Sequence, residues 1–274
     1  MTTTLRPTEP LQRHADGTQS RHYQVCVNSR PVGGIRLSTD PGFGPTVARL
    51  TELRIEEPDR RRGRGTVAVL AAEEIARAWG CKRVEAPVPG EAEGALRLAT
   101  ALGYVRRSRN MVKRLGTTPP ELPTGSSARP MTEAEYGPWI EYESEHYVRS
   151  MVERGVSAEE ARKKADEGHA KLLPDGLASE NTVISVLEHE GVPVGTLWVG
   201  LWSEMAYVLD VEADARHRGR GHGRALMLLA EIQAIAAGKD RIGLHVFAGN
   251  APAERLYESL GYETTSHNLQ KDLI

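Results

Sequence analysis

The sequence repeats itself. The run Arg62-Gly63-Arg64-Gly65 is answered by Arg218-Gly219-Arg220-Gly221, and Leu102-Gly103-Tyr104 by Leu260-Gly261-Tyr262. The intervals from Gly65 to Gly103 and from Gly221 to Gly261 are 38 and 40 residues. Matched landmarks at nearly equal spacing mark one supersecondary unit used twice. Around each pair the chain reads strand meander, basic glycine loop, helix, strand, helix, strand. The expected fold is therefore α/β (α+β), built as two tandem units, each a mixed, mostly antiparallel twisted sheet flanked by helices. Residues 116–130 are broken by proline and glycine, with nothing to anchor a core, and read as a linker. The expected domains are 1–115, truncated, and 131–274, complete.

Charge divides at the same place. Residues 1–115 hold 20 Lys+Arg against 12 Asp+Glu, a net of +8; residues 116–274 hold 15 against 25, a net of −10. The formal total of −2 hides two opposed halves. That excludes a uniformly basic nucleic-acid coat and points to modules that attract each other or do different jobs. The cluster Arg60–Arg64 lacks the aromatic row that a nucleic-acid partner needs. Apolar residues at 39% and charged residues at 26% give a soluble globular balance. Two cysteines, Cys26 and Cys81, are too few for a disulfide framework or a zinc cluster and read as reduced thiols. With no apolar run of ~18 residues and no signal core after Met1, the expected compartment is the cytoplasm, with no membrane partner and no metal.

Residues 1–20 carry no clear element. Apolar runs at His22–Val27, Val32–Leu37 and Thr46–Ile55 predict a strand meander. Helices are expected at Thr66–Trp79 and Ala92–Leu102, with strands at Lys82–Pro87 and Tyr104–Leu115. The second half opens with helices over Thr132–Glu153 and Ala158–Leu173, the latter capped by Ser157 with Glu160. Strands follow at Thr182–His189, Pro193–Leu201 and Met205–Ala213. A helix at Gly221–Ala237, a strand at Arg241–Phe247, a helix at Pro252–Leu260 and a final strand pair ending at Ile274 complete the pattern.

The segment from Val208 to Arg224 runs strand, turn, helix. Glycines at 219, 221 and 223 remove Cβ atoms where backbone must approach a ligand, and the helix aims its free N–H groups and dipole into the same space. Arg218, Arg220 and Arg224 add positive charge. This chemistry fits a pyrophosphate. A tight structural connection is the competing reading.

A second motif, Asn250-Ala-Pro-Ala253-Glu-Arg-Leu256-Tyr257-Glu-Ser-Leu-Gly261-Tyr262, follows a strand. Together the two motifs resemble the GNAT N-acetyltransferase superfamily over about 130–274. Its members carry Arg/Gln-x-x-Gly-x-Gly/Ala for the acyl-CoA pyrophosphate, met here by Arg218, Gly221 and Gly223. They also carry Asn-x-x-Ala-x-x-Leu-Tyr-x-x-x-Gly-Phe/Tyr, met by Asn250, Ala253, Leu256, Tyr257, Gly261 and Tyr262. The resemblance implies acetyl-CoA as co-substrate, held by Val211, Ala213, Arg218, Gly219, Arg220, Gly221, His222, Gly223, Arg224, Asn250, Ala253 and Tyr257. In the first half, Val67 stands for Gly223, Ala92 for Asn250 and Ala99 for Tyr257. That half resembles a worn copy, in a layout like the mycothiol-synthase type.

The resemblance implies direct acyl transfer to a primary amine of a small molecule or peptide. A base takes the amine's proton and an acid protonates the departing thiolate. A backbone N–H near Val211–Ala213 steadies the thioester oxygen. Tyr257 matches the acid. The usual base positions correspond to Tyr207 and Leu209, neither acidic; Asp210 and Glu212 lie nearby on the opposite parity, and a bulge in that strand would re-aim one of them. His245 is the other candidate and a water relay the third. Acidic and polar residues of the opening helix (Glu141, Glu143, Glu145, His146 and Tyr147) face the acceptor side, or form a solvated run; if functional they favour a cationic amine. Trp198 and Trp202 read as packing. The alternative function is a non-catalytic CoA-binding regulator or scaffold, and a homodimer stays open. The identity of the amine stays open too.

Overall fold

A computed structural model describes residues 2–40, 42, 44–153 and 156–273. The chain forms two compact units. The first comprises Met1–Met111, Val246–Ala251 and Thr264–Ile274, and the second Val112–His245 and Pro252–Glu263.

In chain order the elements are β1 (Thr3–Pro7), β2 (Gln12–Arg13), β3 (Gln19–Val27), β4 (Arg30–Asp40), β5 (Gly44–Ile55), α1 (Arg64–Ala78), β6 (Arg83–Pro89), α2 (Glu93–Ala101) and β7 (Val105–Arg114). Then come β8 (Ser126–Pro130), α3 (Glu133–Glu153), α4 (Ala158–Leu172), β9 (Thr182–His189), β10 (Val192–Leu201), β11 (Ala206–Ala213), α5 (His222–Ala236), β12 (Arg241–Phe247), α6 (Ala251–Ser259) and β13 (Glu263–Asp272).

In the first unit the strand order is β1-β3-β4-β5-β6-β13-β7, with β2 beside β3. The β1–β3–β4–β5 meander is antiparallel, whereas β5 and β6 run parallel. Helix α1 lays Ala68, Ala72 and Ala76, all fully buried, on the sheet. Their spacing of four puts three small side chains on one stripe, so the helix approaches closely. Val25, Ile35, Leu37 and Val84 meet them from the sheet. The polar start of the chain, read above as element-free, forms the edge strand β1, whose residues Thr3–Pro7 pair with Tyr23–Val27. An edge strand is held by backbone bonds on one side and needs little apolar patterning; Leu5 alone in it joins the core. The unit is completed by the chain's last strand, where Ser266–Asp272 pair antiparallel with Arg83–Pro89. The expected final strand pair is thus one strand, β13, and Ile274 lies outside the described residues.

In the second unit the order is β12-β11-β10-β9-β8. Pairing is antiparallel except between β11 and β12. Helix α5 packs Leu226, Leu229 and Ala230 on one face, and α3 with α4 cover the other through Trp139, Trp198, Ile184 and Val186. The stretch read as a linker ends in β8, which pairs with β9. Arg129 anchors it: its guanidinium donates to both Glu135 carboxylate oxygens (2.8 and 2.7 Å) and to Glu188 (2.8 Å). Glu135 also accepts from the Thr132 N–H and hydroxyl at the head of α3, and these bonds hold its carboxyl down at about 2. Glu188 is 59 residues from Arg129, and proline and glycine content alone cannot show such a partner. The predicted cap of α4 is present, with Ser157 Oγ accepting from the Glu160 N–H at 3.2 Å. Both cysteines are free thiols and buried. Among the described residues no helix is long and apolar enough to cross a membrane.

Candidate functional site

In the second unit β11 and β12 pair only over Ala206–Val208 and Ile242–Leu244, although both strands continue. Beyond Val208 they are unpaired, which leaves a cleft between strands that open toward the glycine loop. The loop turns on Gly219 (φ 78°) and Gly221 (φ 87°), both left-handed, and α5 starts immediately after Gly221. At these two places a Cβ would be strained, so glycine is required. Gly223 sits against Leu256, whose Cδ2 would lie 3.4 Å from an added Cβ.

The arginines divide. Arg218 is held at the loop mouth: its Nε donates to the Ala213 carbonyl (3.3 Å) and its guanidinium pairs with Glu212 (3.1 Å). Arg220 is exposed. Arg224 donates to the Ser259 hydroxyl (2.6 Å) and so ties α5 to α6. His222 is buried beneath the loop, 5.3 Å from His189 and 6.2 Å from His217 between ring centroids. Burial and the neighbouring imidazoles lower its pKa.

The carboxylates are arranged by a bulge. Trp198 pairs with Asp210 but its neighbour Val199 pairs with Val208, so Leu209 is the extra residue. Cross-strand partners share a face. Asp210 therefore lies on the Trp198 face, as Tyr207 opposite Gly200 does, and a Cβ on Gly200 would meet Leu209 at 3.3 Å. The bulge brings Leu209 and Asp210 to one face in succession, the re-aiming that the sequence left open. Glu212, opposite Thr196, is on the same face; besides Arg218 it accepts from the Tyr142 hydroxyl of α3 at 3.1 Å. Val211 and Ala213 alternate with these carboxylates along β11.

Asp210 has its pKa pushed up to about 7, first by burial, then by the negative charges of Glu143 and Glu212, with the Val211 N–H pulling the other way. Tyr257, buried on α6, has its pKa pushed up to about 12 by burial and by the Asp210 charge. Tyr257 thus senses the charge of Asp210. Of the glutamates at 141, 143 and 145 only Glu143 turns inward, where its Oε2 lies 2.5 Å from His169 Nε2. His169 and Tyr142 were not legible as site residues, because each is a lone polar residue in an otherwise ordinary helical pattern. Trp198 is core, its Nε1 donating to Thr182 Oγ1 at 2.6 Å, while Trp202 is exposed and stacks on Tyr207 (5.1 Å). His245 is exposed on β12 between buried Leu244 and Val246, on the face of Gly243. Ala253 lies in the first turn of α6. Asn250 precedes that helix, in the segment Val246–Ala251 that groups with the first unit.

The first unit corrects the sequence alignment. Helix α1 starts after left-handed Gly63 (φ 73°), as α5 does after Gly221. Adding 158 to a residue number carries Gly63 to Gly221, Ala99 to Tyr257 and Tyr104 to Tyr262. Gly65, and not Val67, therefore stands for Gly223: a Cβ added there would lie 3.2 Å from Leu98, as one on Gly223 would meet Leu256. Arg60 stands for Arg218, its Nε donating to the Ile55 carbonyl at 2.8 Å. The 38-against-40 mismatch disappears, since Gly63 to Gly103 is also 40 residues. The first loop thus keeps Arg60-x-x-Gly63-x-Gly65. Beneath it, Asp59 takes Arg30 and Arg64 in ion pairs, where the second unit has three imidazoles. Strands β5 and β6 also pair only over Val47–Arg49 and Arg83–Glu85. A cavity of about 200 Å³ opens between them, lined by Leu50, Leu53, Val88, Leu98, Ala99 and Tyr104. The alanines at 92 and 99 hold as the departures.

Comparison with known proteins agrees with this geometry. The profile "Acetyltransferase (GNAT) family" matches residues 2–104 and 141–262, one segment in each half of the chain. A mycothiol acetyltransferase of Kineococcus radiotolerans is 26% identical over 275 residues, covering 95% of this chain and 80% of its own length. The uncharacterized N-acetyltransferase YycN of Bacillus subtilis is 29% identical over 150 residues, 53% of this chain and 96% of its own. Among solved structures, a GCN5-related N-acetyltransferase from Sphaerobacter thermophilus shares the fold with a TM-score of 0.58 at 20% identity, covering 92% of this chain and 80% of that one.

Proposed function

The chain belongs to the acetyltransferase (GNAT) family and is an acyltransferase with acetyl-CoA as co-substrate, and on that premise we propose that its second unit moves an acetyl group to a primary amine of a small molecule or peptide. The observation that carries this reading is an enclosed carboxyl, Asp210, whose charge reaches the buried Tyr257, beside β11 and β12 strands that part toward a glycine loop. The loop amides and Arg218 hold the donor pyrophosphate, with Glu212 and Tyr142 fixing the guanidinium.

Asp210 is the base. A carboxyl at about 7 accepts, near neutrality, the proton that the ammonium must lose for its nitrogen to attack. Tyr257 is the acid for the departing thiolate. The two steps help each other: when Asp210 takes the amine's proton its negative charge vanishes, and the charge contribution to the raised Tyr257 pKa vanishes with it. The amine carries positive charge before attack, and the inward carboxylates Glu143, Asp210 and Glu212 favour a cationic acceptor. His245, exposed and beyond the last β11–β12 pair, is the secondary candidate for base.

The test is thiol release from acetyl-CoA across an amine panel that includes the acceptor of the mycothiol acetyltransferases. Tyr257→Phe is expected to bind CoA as the wild type does and to lose about 10²-fold or more in kcat. Tight CoA binding with no thiol release on any amine would instead favour a CoA-binding regulator. The retained loop and opened strands of the first unit support a second reading there: that unit holds a CoA-type acyl donor by its phosphates without turnover, because Ala99 replaces the acid.

A further inference from the structure

The face of the second unit that bears Asp210 is covered by two helices, and one pair of side chains joins them above it. Trp198 lies directly across the strand pair from Asp210. The Trp198 ring meets Trp139 of α3 edge-on (5.7 Å, 83°) and lies 6.1 Å from the His169 ring of α4. Glu143 follows Trp139 by four residues, so the two share one side of α3. His169 Nε2 and Glu143 Oε2 then close the triangle at 2.5 Å, with both side chains mostly buried. A structural staple between helices has no need of this position. Arg162 and Ser144 already tie α4 to α3 (3.3 Å), and a carboxylate costs least in water.

We infer that Glu143 and His169 are positioning residues that set the protonation range of Asp210, and with it the pH range over which the second unit transfers acetyl groups. The inference rests on the reading of Asp210 as the base. The charged and titratable groups facing Asp210 are Glu143 from α3, Glu212 from its own strand and Tyr257 from α6. Glu212 already has Arg218 and Tyr142 as partners. Glu143 has His169 as its partner, so its effect on Asp210 depends on one side chain. Removing the Glu143 charge relieves repulsion and moves Asp210 toward lower pH. Removing the imidazole leaves the Glu143 carboxylate without its partner and moves Asp210 the other way.

The test needs no acceptor. The whole chain is labelled with [4-13C]aspartate, the Asp210 resonance is identified by its disappearance in Asp210→Asn, and its titration midpoint is followed. Glu143→Gln is expected to lower that midpoint, because a like charge beside it is removed, and His169→Gln to raise it. Should Glu143→Gln not fold, the upward shift in His169→Gln carries the test alone. An unmoved midpoint in either variant, or shifts of the same sign in both, overturns the inference. The function reading fails separately. If the acidic limb of kcat/KM for acetyl-CoA and the best amine of the panel does not track the Asp210 midpoint across the variants, Asp210 is not the base, whatever Glu143 does to it.

Discussion

Asp210 should cost the folded protein stability, and that cost can be measured. Its carboxyl titrates at about 7 in the fold against an ordinary value of 3.8. Above pH 3.8 the unfolded chain sheds this proton while the folded protein keeps it, so the unfolded state binds fewer protons and stability falls as pH rises. The penalty is absent below pH 3.8, grows through the window and is complete above about 7. About three pH units correspond to about 4 kcal/mol at most; because the site is only partly enclosed, about 2–4 kcal/mol is expected. Asparagine keeps the shape without the ionisation. Asp210→Asn should therefore be more stable than the wild type by that amount at pH 8, with the advantage shrinking steadily toward pH 5, while kcat falls by about 10²–10⁴. Urea unfolding followed by tryptophan fluorescence reads the second unit, where Trp139 and Trp198 are buried. Equal or lower stability of the variant at pH 8, or an advantage that does not grow with pH, would refute the argument that this carboxylate is held away from water. A stabilised, inactive variant is the usual signature of a group retained for function at the expense of the fold.

Two further outcomes are expected. Lys271 of β13 donates to both oxygens of Glu73 (2.9 and 2.7 Å), whose side chain is 1% exposed; Lys271→Met strands that charge and should cost the first unit about 3–5 kcal/mol, seen as faster amide exchange across α1 and β6, with Glu73→Gln restoring most of it in the double variant. Wild-type exchange in Lys271→Met would dismiss the clasp. Calorimetric titration with CoA should count two molecules per chain, falling to one in Gly65→Val, whose added bulk meets Leu98 from 3.2 Å outward; a count of one in the wild type would remove the donor site of the first unit.

Local signals in the sequence carried much of this structure. Gly219 and Gly221 announce a turn because only glycine tolerates those angles, and Ser157 announces a cap because its hydroxyl needs only the next turn. The helices of the second half fall within a residue or two of expectation. What stayed hidden is non-local. The partner of β13 is decided by Arg83–Pro89, far away in the chain. The anchoring of β8 is decided by its pairing with β9 and by Glu188, 59 residues beyond Arg129. The bulge at Leu209 exists only as a relation between two strands, so the alternation rule put Asp210 on the wrong face until the pairing was known. The loop alignment failed for a related reason: Arg-Gly repeats at a two-residue period, so the string matches itself equally well two places out, and only the left-handed Gly63 at the head of α1 fixes the phase.

The two units together isolate what makes Asp210 unusual. Glu52 stands at the equivalent place in the first unit, 158 residues earlier, also at a bulge in its strand pair and also a carboxylate. It is exposed, and Arg36 lies 3.9 Å away. The strands, the bulge and the charge type are thus common to both. The difference is that the first unit has no counterpart of α3 and α4 among its described elements. Enclosure and a neighbouring carboxylate are what raise a pKa toward neutrality, and both come to Asp210 from those two helices. The chemistry of the second unit accordingly lies less in its β-strands, which the first unit shares, than in the helical cover that turns an ordinary carboxylate into a base, and transplanting a carboxylate alone onto the first sheet should not recreate it.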